Sequence, residues 1–190
     1  MTTRDAVNRT VNAGGPVGRA EVVSAVLTSA ADLFAERGPA ATSIRDIAER
    51  AGVNHGLVFR HFGAKDQLVA AVLNHLGAET AAQDDDAALS AADPRWQRHW
   101  VVLARCILDG FDVGKLQERF PVMSRLVDAA RPHHSETQAA AVAAANVAAL
   151  ELGWRMFGPF LRESTGLAEL PATELQREID AAAVRILHGR

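Results

Sequence analysis

Residues 42–62 read Thr-Ser-Ile-Arg-Asp-Ile-Ala-Glu-Arg-Ala-Gly-Val-Asn-His-Gly-Leu-Val-Phe-Arg-His-Phe. Ile44, Ile47, Ala48 and Ala51 recur at helical spacing, so they share one buried face. Thr42 or Ser43 can cap that helix, because either side-chain oxygen accepts an orphan backbone N–H. Gly52 ends it, where a left-handed residue is cheapest without a Cβ. Val53 turns back into the core, and Asn54 is a good N-cap for a second helix. Val58 and Phe62 continue the buried face. His55, Gly56, Leu57, Phe59, Arg60 and His61 are left to point elsewhere. The pattern is a helix-turn-helix whose second helix is placed to enter a major groove.

Working outward, an amphipathic helix from about Ala20 to Arg37 precedes this unit. Its stripe is Val23, Val26, Leu27, Ala30, Leu33 and Phe34, and Gly38-Pro39 stops it. Downstream, Phe62-Gly63-Ala64-Lys65-Asp66-Gln67-Leu68 opens a fourth helix that runs to about Ala82. Together with the upstream run Leu33-Phe34-Ala35-Glu36-Arg37-Gly38, these residues resemble the DNA-binding module of the TetR family of bacterial transcriptional regulators. The resemblance covers roughly residues 19–75. Its most specific part is the small residue at 48, Gly52, Val53, Gly56, His61-Phe62 and Lys65.

The chain has 190 residues, of which 48% are hydrophobic, enough for a substantial core. Cys106 is its one cysteine, so a disulfide framework within the chain is excluded and a reducing cytoplasm fits. The N-terminal residues show no apolar h-region, so no secretory signal is expected. The longest apolar run, near Ala139–Ala149, is too short to span a bilayer. Net charge is −3. Residues 1–75 carry eight Lys/Arg against seven Asp/Glu, whereas residues 76–190 carry twelve against sixteen. Affinity for DNA must then come from well-placed phosphate contacts and two-fold binding rather than bulk charge.

The expected fold is all-α: a disordered tail over 1–18, a helix-turn-helix head over 19–65 and a helical regulatory and dimerisation body over 66–190. The run Gln83-Asp84-Asp85-Asp86 reads as a solvated break after the fourth helix, because adjacent carboxylates do not converge on one ion. Helices follow from Pro94 to about Asp109, from Ser135 to Leu161 and from Ala172 to His188.

The resemblance assigns roles position by position. His55 stands where a base-edge or phosphate contact is made. Gly56 allows the backbone a close approach. Leu57 replaces a small polar residue and offers only apolar contact, such as with a thymine methyl. Phe59 replaces a tyrosine that contacts phosphate, and so lacks the hydroxyl. Arg60 suits guanine or phosphate. His61 and Lys65 are phosphate contacts, joined by Thr42, Ser43 and Arg45 from the preceding helix. Plainer roles compete. Leu57 and Phe59 fit the core in other registers, Thr42 or Ser43 can be only a cap, and Arg45 can pair with Glu49.

The resemblance also implies double-stranded DNA as partner, a homodimer through the last two helices and a small-molecule effector in the body. Trp96, Trp100, Cys106, Phe111, Met123, Trp154 and Phe157 suit an apolar cavity as a group, although each singly suits a helical core. Repression of an inverted-repeat operator and release by the effector are the expected action. The alternative is a helical interaction protein with a degenerate DNA-binding head. No enzyme is expected. His133-His134-Ser135-Glu136 lacks the spacing of a zinc helix, Cys106 sits in an apolar run that suits an inert thiol, and no nucleotide fingerprint appears. Neither metal nor cofactor is expected.

Overall fold

The structure, a computed structural model, describes residues 18–82, 94–117 and 119–189. Most of the expected tail and the whole Gln83–Asp86 run lie outside the described residues. Within them the fold is all-α, with no strand.

Helix α1 (Arg19–Arg37) ends at Gly38, whose φ of 81° is a conformation that side chains with a Cβ rarely adopt. Helix α2 (Ile44–Ala51) is capped by Ser43. The Ser43 hydroxyl oxygen accepts the Asp46 N–H at 3.1 Å, and the Asp46 carboxylate accepts the Ser43 N–H at 2.9 Å. Gly52 takes the left-handed conformation, with φ 66° and ψ 31°, and α2 stops there. Asn54 then caps α3 (His55–Phe62), its side-chain oxygen accepting the Gly56 N–H at 2.8 Å. Helix α4 (Lys65–Ala81) follows at once.

The body continues with α5 (Pro94–Leu108), the short α6 (Val113–Leu116) and α7 (Pro121–Ala130). A single 3-10 turn over Arg131–His133 leads to the long α8 (Thr137–Ser164), and α9 (Ala172–Leu187) closes the described fold. Helix α8 runs three residues beyond the expected Leu161.

The core of the head is Phe34, Ile47, Val58, Leu68, Leu73 and their neighbours from the first four helices. It does not close on itself. Val102 and Cys106 of α5 and Val113 of α6 belong to the same cluster. Val22 is buried on α1 whereas Val23 is only half-buried, so the stripe starts one residue earlier than the sequence pattern indicates. Two smaller clusters hold the body. One joins α7, α8 and α9 through Leu126, Ala140, Ala144, Val147 and Leu187. The other joins α5, α7 and α8 through Trp96, Trp100, Val122 and Ala148. Alanines at the α8 contacts let the helices approach closely, so truncating the few large partners there removes much of the packing.

Polar contacts strap α5 to the head. Arg98 pairs with Asp32 of α1 at 2.7 Å and donates to the Thr28 carbonyl at 2.8 Å. One residue past the other end of α5, Asp109 accepts the Ala40 N–H at 2.7 Å.

Candidate nucleic-acid interface and body cavity

The exposed residues of α3 make one stripe. His55, Gly56, Phe59 and Arg60 are all exposed, and their spacing of i, i+1, i+4 and i+5 puts them on a common helical face. Val58, fully buried, anchors the opposite side. Phe59 is 62% exposed. The caps at both ends of α2 and at the start of α3 are satisfied, so this stripe stands on a rigid support.

Gly56 has a local role too. A Cβ there would lie 3.2 Å from the Asn54 oxygen that caps the helix. The absent side chain therefore leaves room for the cap as well as for an approaching partner.

Ser43 and Arg45 are exposed at the start of α2. The Ser43 oxygen accepts from Asp46, which leaves its O–H proton able to donate. Two ion pairs fix α2 against α1: Arg37 with Asp46 at 2.7 Å and Arg50 with Glu36 at 2.6 Å. The hydrogen bond from Arg50 holds the Glu36 carboxyl below its ordinary range, and the Ser43 N–H does the same for Asp46. Lys65 opens α4 half-buried, with Nζ 3.4 Å from the Ala40 carbonyl oxygen. That long contact leaves the ammonium free to turn toward a phosphate. His61 is half-buried at the edge of the stripe.

Two of the expected contact residues have partners inside the head. Thr42 is buried, and its hydroxyl donates to the Gly38 carbonyl at 2.7 Å, so its side chain is committed inside the α1–α2 turn. Leu57 is half-buried and packs against the head core.

The body contains a cavity of about 390 Å³ between α5, α6 and α7. Trp100, Phe111 and Met123 of the expected set line it. The others do not. Trp96 is buried beside it, its ring centroid 6.0 Å from that of Trp100. Cys106 faces the head core, and burial with the nearby Asp109 charge pushes its thiol up to about 12, which keeps it protonated and inert. Trp154 is half-buried on α8 and Phe157 is 56% exposed, on helix faces outside the cavity wall. In their place stand His99, Leu103, Ile107, Gln117 and Phe120. Ile107, Asp112, Gly114 and Phe120 of the lining are exposed, so the cavity opens to the surface on their side. A sequence signal for this wall exists, since Trp100, Leu103 and Ile107 follow the spacing i, i+3, i+7 on α5.

The family model described as bacterial regulatory proteins of the tetR family matches residues 26–72. Over 188 residues the chain is 53% identical to the HTH-type transcriptional repressor Rv3405c of Mycobacterium tuberculosis strain H37Rv, covering 98% of both proteins. The chain belongs to the TetR family. A more distant member, the HTH-type transcriptional repressor KstR2 of Mycolicibacterium smegmatis, is 48% identical over 48 residues, 25% of this chain and 23% of that protein. Among solved structures, a transcriptional regulator from Rhodococcus sp. RHA1 shares the fold, with TM-score 0.63 and 22% identity over 88% of this chain and 96% of that one. This TetR-family chain is thus a DNA-binding transcriptional regulator of the helix-turn-helix type. No helix among its described residues is long and apolar enough to cross a membrane.

Proposed function

We propose that this protein represses transcription in the cytoplasm as a homodimer that binds an inverted-repeat operator and leaves it when a small molecule occupies the body cavity. The observation that carries the DNA-reading part is the exposed stripe of His55, Gly56, Phe59 and Arg60 on a fully capped α3. His55 and Arg60 meet base edges, Phe59 packs against the sugar-phosphate wall, and Ser43, Arg45, His61 and Lys65 hold phosphates. Repression is the action named for Rv3405c, one of the relatives at 53% identity.

The two-fold arrangement rests on the outer surface of the last two helices. Val142, Phe157 and Phe160 on α8 and Val184 on α9 are large apolar residues left exposed on one chain. A second copy placing the same patch against them would bury both sets in an isologous four-helix contact. Two heads would then read half-sites about one helical turn apart, on the order of 34 Å, or a multiple of that.

The test is selection of bound sequences from a random duplex library, followed by affinity measurement across a salt series. Enrichment of an inverted repeat, bound more weakly as salt rises, is the expected result. A folded dimer that enriches no sequence would instead favour a helical interaction protein with a degenerate head.

A further inference from the structure

The cavity between α5, α6 and α7 has a wall whose chemistry selects among ligands. Leu103, Ile107, Phe111, Val113, Val122 and Met123 make most of it apolar. Polar groups are few among the described lining residues, and the buried ones are uncharged. Gln117 is 6% exposed and His99 is 5% exposed, and both line the cavity. Burial pushes the His99 imidazole down to about 4, so at neutral pH it carries no charge. The His99 Nδ1 and the Trp100 indole nitrogen are buried with no hydrogen-bond partner among the described residues. Asp112 is the charged residue among the described lining residues, and Lys115 already pairs with it at 2.7 Å. Among the described lining residues a carboxylate would meet no cation, and an ammonium would meet only Asp112, which lies exposed at the rim beside Lys115. Either would lose its hydration without replacement.

We propose that the cavity takes an uncharged, mainly apolar small molecule bearing one carbonyl or hydroxyl oxygen, which the Gln117 side-chain amide reads. This rests on the reading of the cavity as the effector site. The volume of about 390 Å³ lies within the range of about 300–1,000 Å³ found for small-molecule pockets. The amide of Gln117 offers both a donor and an acceptor, so it suits a ketone, ester or alcohol oxygen on an otherwise apolar body. The His99 imidazole, held neutral by its surroundings, supplies a second uncharged polar edge.

The test uses four ten-carbon probes with the full-length protein: 2-decanone, decanoate, decylammonium and decane. Tryptophan fluorescence and calorimetry read binding, and operator affinity is measured separately with each probe present. The ketone is expected to bind saturably, and both ions to bind more than about a hundredfold more weakly because their charge is left uncompensated. Gln117→Leu keeps the side chain's approximate size and is expected to weaken ketone binding about three- to tenfold, with decane unaffected. Met123→Trp fills the cavity and is expected to abolish binding of both. An ion that binds as well as the ketone overturns the inference. So does unchanged ketone affinity in a folded Gln117→Leu protein, and so does the absence of ketone binding to the folded wild type. Ketone binding that obeys these rules while operator affinity stays constant upholds the ligand class and removes release from the operator as its consequence.

Discussion

The Asp109 carboxylate accepts the Ala40 backbone N–H at 2.7 Å, joining the end of α5 to the turn between α1 and α2. The carbonyl of the same Ala40 lies 3.4 Å from Lys65 Nζ. Gly38 makes the contact possible, since a Cβ there would stand 2.6 Å from the Asp109 oxygen, and its φ is 81°. The residues that follow Asp109, from Phe111 to Gly114, line the cavity. One short hydrogen bond thus ties the start of the cavity wall to the head, beside the Arg98 contacts and the shared core.

That geometry makes Gly38 and Asp109 energetically coupled. Gly38→Ala should destabilise the fold by about 2 kcal/mol or more, from the positive φ together with the clash. Asp109→Ala alone should cost about 1 kcal/mol, because the Ala40 N–H loses its acceptor at an exposed site. In the Asp109→Ala background the clash is gone, so Gly38→Ala should destabilise by about 1 kcal/mol less than in the wild type. Urea titrations of the four proteins measure the cycle. Simple additivity would show that the contact does not form in solution.

Phe59 is exposed enough that changing it should separate binding from folding. Phe59→Ala should shift stability by no more than about 0.5 kcal/mol and still weaken binding to the selected operator. Phe59→Tyr adds a hydroxyl at the same place, and should tighten binding several-fold through one new phosphate contact. Band-shift titrations with the selected duplex measure both. Unchanged affinity in both variants would take Phe59 out of the interface. By contrast Leu57→Ala should lower stability by about 1–2 kcal/mol, since its side chain packs on the head core.

Lys65 and His55 should fail in different ways. Lys65→Ala removes a point charge near the backbone, so it should weaken binding to all sequences alike and reduce the salt slope by about 1. His55→Ala removes a group on the exposed stripe, so it should alter the preferred base at one position of each half-site. Repeating the library selection and the salt series on both variants distinguishes them. A Lys65→Ala protein with altered base preference and unchanged salt slope would reverse its assignment.

The head was legible because its punctuation is local. Gly52 in the left-handed conformation, the Ser43–Asp46 pair and the Asn54 cap each act over no more than four residues, and each is visible as a residue type at a fixed offset. Thr42 was not legible by the same means. Thr42 and Ser43 carry the same oxygen, and only the Asp46 carboxylate three residues beyond Ser43 decides which caps α2. The partner that takes up Thr42 is the Gly38 carbonyl in the preceding turn. The cavity was half legible. Spacing puts Trp100, Leu103 and Ile107 on one face of α5, but it cannot say that Cys106 turns to the head while Trp100 turns to the cavity. Phe157 misleads for a related reason: an apolar helix face reads the same whether it meets its own core or remains at the surface.

His99 gives the fold a defined acid response. Its imidazole is lowered from 6.5 to about 4 by burial, so the folded state binds its proton less readily than the unfolded state. Its contribution is complete above about pH 6.5 and is withdrawn as pH falls toward 4, by roughly 3 kcal/mol across that window. Glu36 and Asp46 are lowered and also lose their contribution as pH falls, but through the carboxylate range. Glu151 is raised by burial and acts in the opposite sense. Urea midpoints of wild type and His99→Leu between pH 4 and 7 separate these groups, because only the imidazole differs. The variant should lose the part of the slope between about pH 4.5 and 6.5. An identical slope in both proteins would mean that His99 is protonated as readily in the fold as outside it.

The exposed α8 ridge predicts how the assembly should fail. Phe157 and Phe160 are 56% and 69% exposed on one chain, so replacing them leaves the subunit's own core intact. Phe157→Glu with Phe160→Glu would place two carboxylates from each copy in an apolar contact, where they lose hydration and repel. Sedimentation equilibrium should show a dimer for the wild type and a folded monomer for the variant. Operator binding should fall far more than the loss of any one phosphate contact explains, because one head engages one half-site. A doubly charged variant that remains dimeric would move the two-fold contact to another surface, and Val142 and Val184 would then be open to a different partner.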